Sequence, residues 1–297
     1  MISIIICSRK LIINPLLTEN ISATIGCQHE FVIIDNSKNK YNIFQAYNLG
    51  IQKSVFNYVV FLHDDILFHS DNWGNIIHDI FIKNKNVGLI GVAGSKVKSK
   101  MPSGWWDCPK EFKQINIIQH LEPNKKEIWN YGFKNNSNLE NVVAIDGVFI
   151  AMNKDKQLFF DDNFSGFHNY DLNISFECIS KGFEVVATNQ ILIEHFSNGV
   201  IDNSWYKTTF ELHKKYKNLL PLKTKDVSDL HFLKILELKN GKRFVNKLLQ
   251  LKYKRQAIVL WFNIFLIKPF DLYHLRFFKH FLNSKTINNF VNKVTLK

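Results

Sequence analysis

Three adjacent polar residues, His63, Asp64 and Asp65, directly follow the apolar run 58–62. Two neighbouring carboxylates repel each other and raise each other's pKa, so a cation beside them would offset the cost of holding both at the end of a buried strand. Mg²⁺ and Mn²⁺ prefer oxygen ligands and commonly bridge carboxylates to substrate phosphates. The motif therefore indicates a divalent metal that carries a phosphorylated ligand. A solvated turn after a strand is the alternative that the motif alone leaves open.

Nearly continuous apolar runs in the first half of the chain predict the strands that would position these carboxylates. The predicted strands are Ile2–Cys7, Phe31–Ile34, Tyr58–Leu62 and Val87–Val92, and the predicted helices between them are Asn42–Ser54 and Trp73–Ile82. This alternation predicts an α/β domain with a mostly parallel central sheet flanked by helices. Ligands of such sheets bind beyond the carboxyl ends of the strands. The polar residues at those ends are Ser8, Arg9, Asp35, Asn36, Asp64 and Asp65.

The segment 95–141 is rich in Lys, Pro and Asn, and we expect a long, partly ordered loop region that lies over the site. Regular structure is predicted to resume after it. The predicted elements are a strand-like run Val142–Met152 interrupted at Asp146-Gly147, a helix Tyr170–Lys181, and the strands Glu184–Ala187 and Ile191–Glu194. Gly182 suits the end of that helix because glycine readily adopts the left-handed conformation of a C-terminal cap. The last strand leads into His195.

The positive charge of the chain is concentrated in its last third. Residues 1–206 contain 18 Lys and Arg against 21 Asp and Glu, a balance of −3, whereas residues 207–297 contain 20 against 5, a balance of +15; together they give the net charge of +12. A slightly acidic body with a basic appendage indicates that the appendage meets an anionic surface, and we expect no nucleic acid partner. We therefore predict two regions, 1–206 and 207–297.

Region 207–297 is predicted to form amphipathic helices, with Lys or Arg opposite an apolar side over Leu230–Leu238, Phe244–Leu251 and Ile258–Ile267. These helices could pack on the body as a cap, mediate homodimerisation, or rest on an anionic membrane, where each basic side chain adds about 1 kcal/mol. The aromatic residues follow helical spacing together with leucines. That spacing suits packing better than the base stacking of single-strand binders.

The cysteine pattern and the hydropathy bear on the compartment. Four scattered cysteines without a C-x-x-C pair fit a reducing environment. The first residues lack a basic leader, which argues against a signal peptide, and no uncharged apolar stretch reaches about 18 residues, so we predict no membrane span. We expect a cytoplasmic protein, peripheral on the inner face of the cell membrane.

Eight short motifs in order make roughly residues 1–200 resemble the inverting, family-2-like glycosyltransferases of the GT-A fold, in particular a glycosyltransferase-like branch of bacterial surface-polysaccharide synthesis. The motifs are Cys7-Ser8-Arg9, Ile34-Asp35-Asn36-Ser37, Ala46-Tyr47-Asn48-Leu49-Gly50-Ile51, Phe61-Leu62-His63-Asp64-Asp65, Ile90-Gly91-Val92-Ala93-Gly94, Ile145-Asp146-Gly147-Val148-Phe149, Tyr170-Asp171 and His195-Phe196-Ser197-Asn198-Gly199. The resemblance implies a catalytic domain over 1–206 and leaves 207–297 as a basic helical extension.

The resemblance also implies roles for individual residues. The residues that it assigns to the nucleotide-sugar pocket are Ser8, Arg9, Asp35, Asn36, Asn48 and Asp64. Asp65 corresponds to the last acidic residue of the family's D-x-D metal motif, and His195 to a late histidine that completes the metal shell or touches the diphosphate. His63 stands where the first acidic residue of D-x-D is expected, which is a departure from the motif. Asp171 corresponds to the residue proposed as the general base.

On the acceptor side, two tryptophans and one aspartate have open alternatives. Trp105 and Trp106 could stack on a sugar ring or only anchor their loop, and Asp146 could face the acceptor or only fix a turn.

The residues and the resemblance together predict a metal-dependent glycosyltransferase that uses Mn²⁺ or Mg²⁺. The resemblance implies a nucleotide-sugar donor, a UDP-sugar above all, and a glycan or lipid-linked acceptor. A non-catalytic sugar-nucleotide or glycan-binding protein would keep the pocket without needing Asp171. A nucleotidyltransferase shares the sheet and the metal, although the Gly-rich phosphate loop that such enzymes often carry is missing near the first strand.

Overall fold

The chain forms two structural units in the computed structural model, which describes residues 1–10, 12–122, 125–134 and 137–282. The first unit comprises Met1–Lys98 and Gly104–Val227, and the second comprises Ser99–Ser103 and the chain from Ser228 onward. The boundary that the sequence predicts, at 206, falls inside helix Asn203–Lys215. Helix Asn203–Lys215 belongs to the first unit, where Thr209 and Leu212 are fully buried.

The secondary structure alternates between short strands and helices over residues 2–91, and residues 93–153 form mainly strands. Its strands are β1 Ile2–Ser8, β2 His29–Asp35, β3 Tyr58–Leu62, β4 Ile66–Phe68, β5 Val87–Gly91, β6 Ala93–Ser95, β7 Val97–Lys98, β8 Lys113–Glu122, β9 Lys125–Tyr131, β10 Leu139–Val142, β11 Ala144–Ile145, β12 Phe149–Asn153, β13 Glu184–Thr188, β14 Ile193–His195 and β15 Leu222–Lys223. Its helices are α1 Pro15–Thr24, α2 Ile43–Lys53, α3 Trp73–Lys83, α4 Tyr170–Ser180 and α5 Asn203–Lys215. The second unit contains α6 Leu230–Gln250, α7 Lys254–Ile267 and α8 Tyr273–Leu282.

A seven-stranded sheet in the order β10-β13-β5-β12-β3-β1-β2 forms the centre of the first unit. Strands β2, β1, β3, β5 and β13 run in one direction, and β12 and β10 run against them. The predicted mostly parallel sheet flanked by helices is therefore confirmed. The sequence did not indicate that β12 would enter between β3 and β5 in the opposite direction.

Helix α2 shows how local sequence signals and packing agree. Asn42 and Gln45 form a reciprocal capping box at its N-terminus, in which each side chain accepts a hydrogen bond from the other's backbone N–H. Phe44 and Tyr47 are buried on its core side. Gly50 lies so close to β1 that an added Cβ would stand 2.3 Å from the Ile5 side chain. Glycine at this position therefore allows the helix to approach the sheet.

The segment 95–141, which the sequence predicts to be a loop region, contains the two longest strands of a second sheet, β8 and β9. This sheet has the order β11-β6-β8-β14-β4, with β9 paired to β8. Strand β8 resembles a loop in sequence because it contains the polar residues Gln114, Asn116 and Gln119. In the structure these three residues are buried. The Asn116 side chain, for example, donates hydrogen bonds to the backbone carbonyls of Asn189 and Ile191.

The three helices of the second unit pack through an apolar and aromatic core. Trp261 on α7 stacks on Phe277 of α8 with ring centroids 5.0 Å apart. Among the described residues, no helix is both long enough and apolar enough to cross a membrane.

Candidate active site

Polar side chains from distant parts of the sequence meet at one edge of the first unit. Strand β3 pairs in parallel with β1, and the turn after β3 carries His63, Asp64 and Asp65. Strand β4 follows that turn and pairs with β14, which places His195 opposite Ile66. The two sheets therefore bring the end of β14 beside the end of β3.

Three of these side chains present possible metal ligands within 4.8 Å of one another, namely His63, Asp65 and His195. The His63 Nδ1 and His195 Nε2 atoms are 3.3 Å apart. The Asp65 Oδ1 atom lies 3.9 Å from His63 Nδ1 and 3.6 Å from His195 Nε2. The predicted pair Asp65 and His195 is therefore brought together, and His63 joins it.

Neighbouring side chains orient both imidazoles. The Gln119 side-chain N–H groups donate to the backbone carbonyls of His120 and Ser197, each at 2.9 Å, which directs the Gln119 Oε1 atom towards His195 Nδ1 at 3.1 Å. His195 must then donate from Nδ1, and its Nε2 lone pair faces the cluster. On the other side, His63 Nε2 lies 2.7 Å from the Tyr170 hydroxyl.

The electrostatic environment favours the protonation states that a cation needs. Burial lowers the pKa of His63, and the neighbouring His195 lowers it further, so the His63 imidazole is neutral near pH 7. Burial tends to raise the pKa of Asp65, but the neighbouring side chains of His195, Ser197 and His63 outweigh it and lower the pKa below its usual value. The cluster thus offers the neutral His63 imidazole, the His195 ring oriented by Gln119, and one carboxylate.

A cleft of about 230 Å³ adjoins this cluster. The residues that line it are Ser8, Lys10, Ile12, Ile13, Asn14, Asp64, Asp65 and Phe196. The Ser8 hydroxyl donates a 2.9 Å hydrogen bond to Asp64 Oδ2 and accepts one from the Lys10 backbone N–H. Arg9, which lies between Ser8 and Lys10 in the sequence, is exposed. Two residues of the predicted nucleotide pocket, Ser8 and Asp64, therefore line this cleft.

The other predicted nucleotide-pocket residues are placed differently and do not line this cleft. Asp35 pairs in register with Ser8 at the sheet edge, is exposed, and accepts a hydrogen bond from the Ser37 backbone N–H that lowers its pKa. Asn36 is fully buried, and its amide bonds the backbone N–H and carbonyl of Tyr41. The Asn36 side chain therefore supports the loop.

Asn48 also has its amide committed to the protein. Its Oδ1 atom accepts from the Phe160 N–H, and its Nδ2 atom donates to the Phe160 carbonyl and to Asp162. These bonds tie α2 to the segment before α4. They give Asn48 a structural role in the scaffold, and the nucleotide contact that the resemblance implies stays a prediction.

Asp171 is the second residue of α4, and its Oδ1 atom accepts a 2.8 Å hydrogen bond from the Leu172 N–H. Burial raises its pKa, and the negative charge of Asp146 raises it further, to about 7. The carboxylate of Asp146 bonds the Val148 N–H and the Trp105 indole N–H, both at 2.8 Å. A carboxyl group with a pKa near 7 can accept a proton at physiological pH.

The two tryptophans lie side by side with an edge-to-face geometry, their ring centroids 6.0 Å apart. Trp105 is only 6% exposed, so its ring is not available to stack on a sugar, and its hydrogen bond to Asp146 anchors the loop. Trp106 is partly buried against Trp205. Of the two alternatives for Trp105, the structure favours loop anchoring.

Sequence reasoning missed three residues of this site. His63 departs from the family's D-x-D motif, although imidazole is itself a metal ligand. Gln119 lies in the segment 95–141, which the sequence predicts to be a loop region, and the motif Tyr170-Asp171 points only to Asp171. Glycine at position 147 is the sequence signal for the close approach of Tyr170, because a Cβ on Gly147 would stand 2.2 Å from the Tyr170 hydroxyl.

Comparisons with solved structures show the fold. Staphylococcus aureus TarS superposes with a TM-score of 0.51 at 11% identity, over 95% of this chain and 53% of that one. GalNAc-T7, solved with UDP, GalNAc and Mn²⁺, gives 0.50 at 13% identity, over 82% of this chain and 56% of that one. This chain thus spans little more than half the length of either protein. No curated protein sequence matches it.

Residues 5–218 match the family described as "Glycosyltransferase like family". This match covers well over half of the chain and contains both segments of the candidate metal cluster, as well as Asp171. The protein therefore belongs to this family and has the GT-A fold.

Proposed function

We propose that the protein transfers a sugar, with inversion, from a UDP-sugar to a glycan or lipid-linked acceptor in surface-polysaccharide synthesis. The observation that carries this proposal is the cluster of His63, Asp65 and His195 beside a cleft that contains Ser8 and Asp64. A diphosphate needs a cation next to a polar pocket, and both features adjoin here. That GalNAc-T7 was solved with UDP and Mn²⁺ on a related fold supports the choice of ligand.

The chemistry of the donor set fits a divalent transition metal. Two imidazole nitrogens and one carboxylate oxygen suit Mn²⁺ better than Mg²⁺, which prefers oxygen ligands. The orientation of His195 by Gln119 adds to this fit, because it presents the Nε2 lone pair to the cluster. When bound, the ion would stabilise the negative charge that develops on the β-phosphate as the donor bond breaks. The ligands would be His63, Asp65 and His195.

The residues at the end of β1 would bind the donor. Ser8 holds Asp64 in place through a hydrogen bond, and Asp64 can accept a hydrogen bond from a ribose or sugar hydroxyl. Arg9 is exposed beside the cleft and Lys10 lines it, so either cation can approach an anionic phosphate. Asp35 lies at the same sheet edge with an exposed carboxylate, where it can accept hydrogen bonds from the base or ribose.

Asp171 would act as the base. Inversion requires one group on the acceptor side that takes the proton from the attacking hydroxyl, and no covalent enzyme intermediate is needed. The pKa of about 7 matches that task at physiological pH. Asp146 supports it by adding negative charge nearby and by holding the Trp105 loop.

Calorimetric titration with UDP, GDP and dTDP, each with and without Mn²⁺, tests the donor site. We expect Mn²⁺-dependent binding of UDP that is lost in Asp65→Asn and kept in the control Asp71→Asn, an exposed carboxylate just after β4. UDP binding that does not depend on Mn²⁺, or that persists in Asp65→Asn, would contradict the metal assignment.

Transfer itself is tested with Asp171→Asn. We expect this variant to bind UDP and Mn²⁺ normally and to lose most transfer to an acceptor. Proton NMR of the product of the unmodified enzyme would give the anomeric configuration, and retention would refute inversion. Normal transfer by Asp171→Asn would refute the base assignment.

A further inference from the structure

We propose that the α7–α8 hairpin of the second unit is a docking surface for an anionic lipid bilayer. This inference does not depend on the transfer chemistry proposed above. It rests on three observations about the hairpin: a continuous set of exposed apolar side chains, a surrounding excess of positive charge, and a fixed internal geometry.

Helix α7 exposes an apolar stripe. Ile258, Val259, Phe262 and Leu266 are between 40% and 63% exposed. Residues three, four and seven positions apart share one side of a helix, so Val259, Phe262 and Leu266 lie on the same side. The buried side chains Ala257, Leu260 and Ile264 follow the other side. A helix that is apolar on its exposed side as well as on its core side needs a second apolar environment.

The connection to α8 and α8 itself continue the apolar surface. Phe270 is 99% exposed, and Leu272, Leu275, Phe278 and Leu282 are exposed as well. Leu275, Phe278 and Leu282 again have the spacing of one helix side. The Phe278 ring contacts Trp261 of α7 edge to face at 4.9 Å, which joins the two stripes. We call these nine residues the hairpin face; they are 9 of the 21 large exposed apolar side chains among the described residues.

Basic residues accompany the hairpin face. Residues 254–282 contain five Lys and Arg against one acidic residue, a balance of +4. The basic residues are Lys254, Arg255, Lys268, Arg276 and Lys279. The acidic one, Asp271, bonds Lys242 at 2.6 Å, and this bond above all lowers its pKa to about 2. The field around the hairpin face is therefore positive.

Internal contacts fix the hairpin. The Trp261 indole stacks on Phe277 with an interplanar angle of 11° and donates a hydrogen bond to His274 Nδ1 at 3.1 Å. His274 Nε2 in turn bonds the Lys268 carbonyl at 2.9 Å. The apolar side chains are thus presented by a scaffold that is already formed, and docking need not order the helices.

The charge decides between a bilayer and a second copy of the chain. A two-fold dimer through the hairpin face would bring two positively charged hairpins together, which opposes association. An anionic bilayer satisfies both features, because its interface accepts Phe and Leu side chains and its headgroups attract Lys and Arg. The net positive charge of the hairpin therefore favours an anionic bilayer as the partner of the hairpin face.

Co-sedimentation of the full chain with vesicles tests the proposal. One set of vesicles contains phosphatidylcholine with phosphatidylglycerol, and the other contains phosphatidylcholine alone. We expect binding to the anionic vesicles only, weakened by salt. Replacing Arg255, Arg276 and Lys279 by Gln should weaken binding about fivefold for each charge removed, the fold-change that about 1 kcal/mol represents.

An apolar variant and a matched control separate docking from general charge attraction. Phe262→Ser, Leu266→Ser and Phe270→Ser combined should weaken binding by at least about tenfold per side chain. The control combines Leu16→Ser, Val55→Ser and Ile128→Ser, three exposed apolar residues of the first unit, and should bind vesicles normally.

Three outcomes would overturn the proposal. One is absence of vesicle binding by the full chain, and another is equal loss in the apolar variant and its control. The third is a dimer, seen by light scattering without lipid, that the apolar variant abolishes, because the occupant would then be a second copy. UDP and Mn²⁺ binding measured on the same samples is a separate readout, so failure here would leave the donor-site proposal standing.

Discussion

Replacing Gln119 by Ala is predicted to weaken metal binding without touching a metal ligand. Gln119 Oε1 lies 3.1 Å from His195 Nδ1, and two backbone carbonyls hold the Gln119 amide in the orientation that requires a proton on Nδ1. Without this acceptor, His195 can place its proton on Nε2, the atom that faces His63 and Asp65. Part of the protein would then have to change tautomer before it could bind the ion.

The size of the effect follows from this geometry. Loss of a residue that orients a metal-bound histidine typically lowers metal affinity about 10- to 100-fold. At a Mn²⁺ concentration of about 100 times the dissociation constant of the unmodified protein, binding adds about 2.7 kcal/mol to the free energy of unfolding. In Gln119→Ala the same concentration should add only about 0.4–1.4 kcal/mol. The rise in melting temperature on adding Mn²⁺ should fall from about 5–11 °C to about 1–6 °C.

Thermal unfolding with and without Mn²⁺ measures this difference, because each variant serves as its own metal-free reference. Gln114→Ala is the matched control, since it makes the same truncation on the same strand and has no bond to His195. Equal Mn²⁺-dependent shifts in Gln119→Ala and Gln114→Ala would refute the orienting role. Calorimetric titration with Mn²⁺ gives the affinities directly.

Four further outcomes are expected. Asp171→Asn should lower the transfer rate by about 10²–10⁴-fold, the usual contribution of a general base, and leave the calorimetric affinity for UDP unchanged. Since only the carboxylate form of Asp171 accepts a proton, initial rates should rise with pH through about 7. Asp146→Asn should move this rise to lower pH, because it removes the charge that helps to raise the pKa of Asp171. A pH profile that does not move in Asp146→Asn would contradict that coupling. Trp105→Phe should cost about 1 kcal/mol in denaturant unfolding through its lost hydrogen bond and keep the pH profile in place, because the charge of Asp146 stays. Asn36→Ala should cost about 1 kcal/mol of stability, since it removes the two hydrogen bonds between the buried Asn36 amide and the half-buried backbone of Tyr41, and a fully stable variant would show that water replaces the amide.

Much of the fold was readable because its signals are local. Continuous apolar runs marked β1, β3 and β5, and apolar residues at helical spacing marked α2. Polar residues directly after such strands pointed to one sheet edge, because the ends of parallel strands meet there. The order of the family motifs then indicated a glycosyltransferase, which the match over 5–218 bears out.

The parts that sequence reasoning missed depend on partners far along the chain. Strand β8 looked like a loop because the polar residues buried in it find backbone partners only in the folded sheet, as Asn116 does at Ile191. The amide of Asn48 likewise finds its partners, Phe160 and Asp162, 112 and 114 residues further along the chain.

The sequence by itself determined that carboxylates and a histidine would end strands of an α/β sheet, since apolar periodicity and strand ends are properties of short segments. Only the tertiary structure decided that His63 would meet His195, which lies 132 residues further along the chain. That meeting depends on the pairing of β4 with β14, and on Gln119 and Tyr170 for the direction of each ring. Hydrogen bonds between distant residues are set by packing of the whole unit, and no local pattern encodes them.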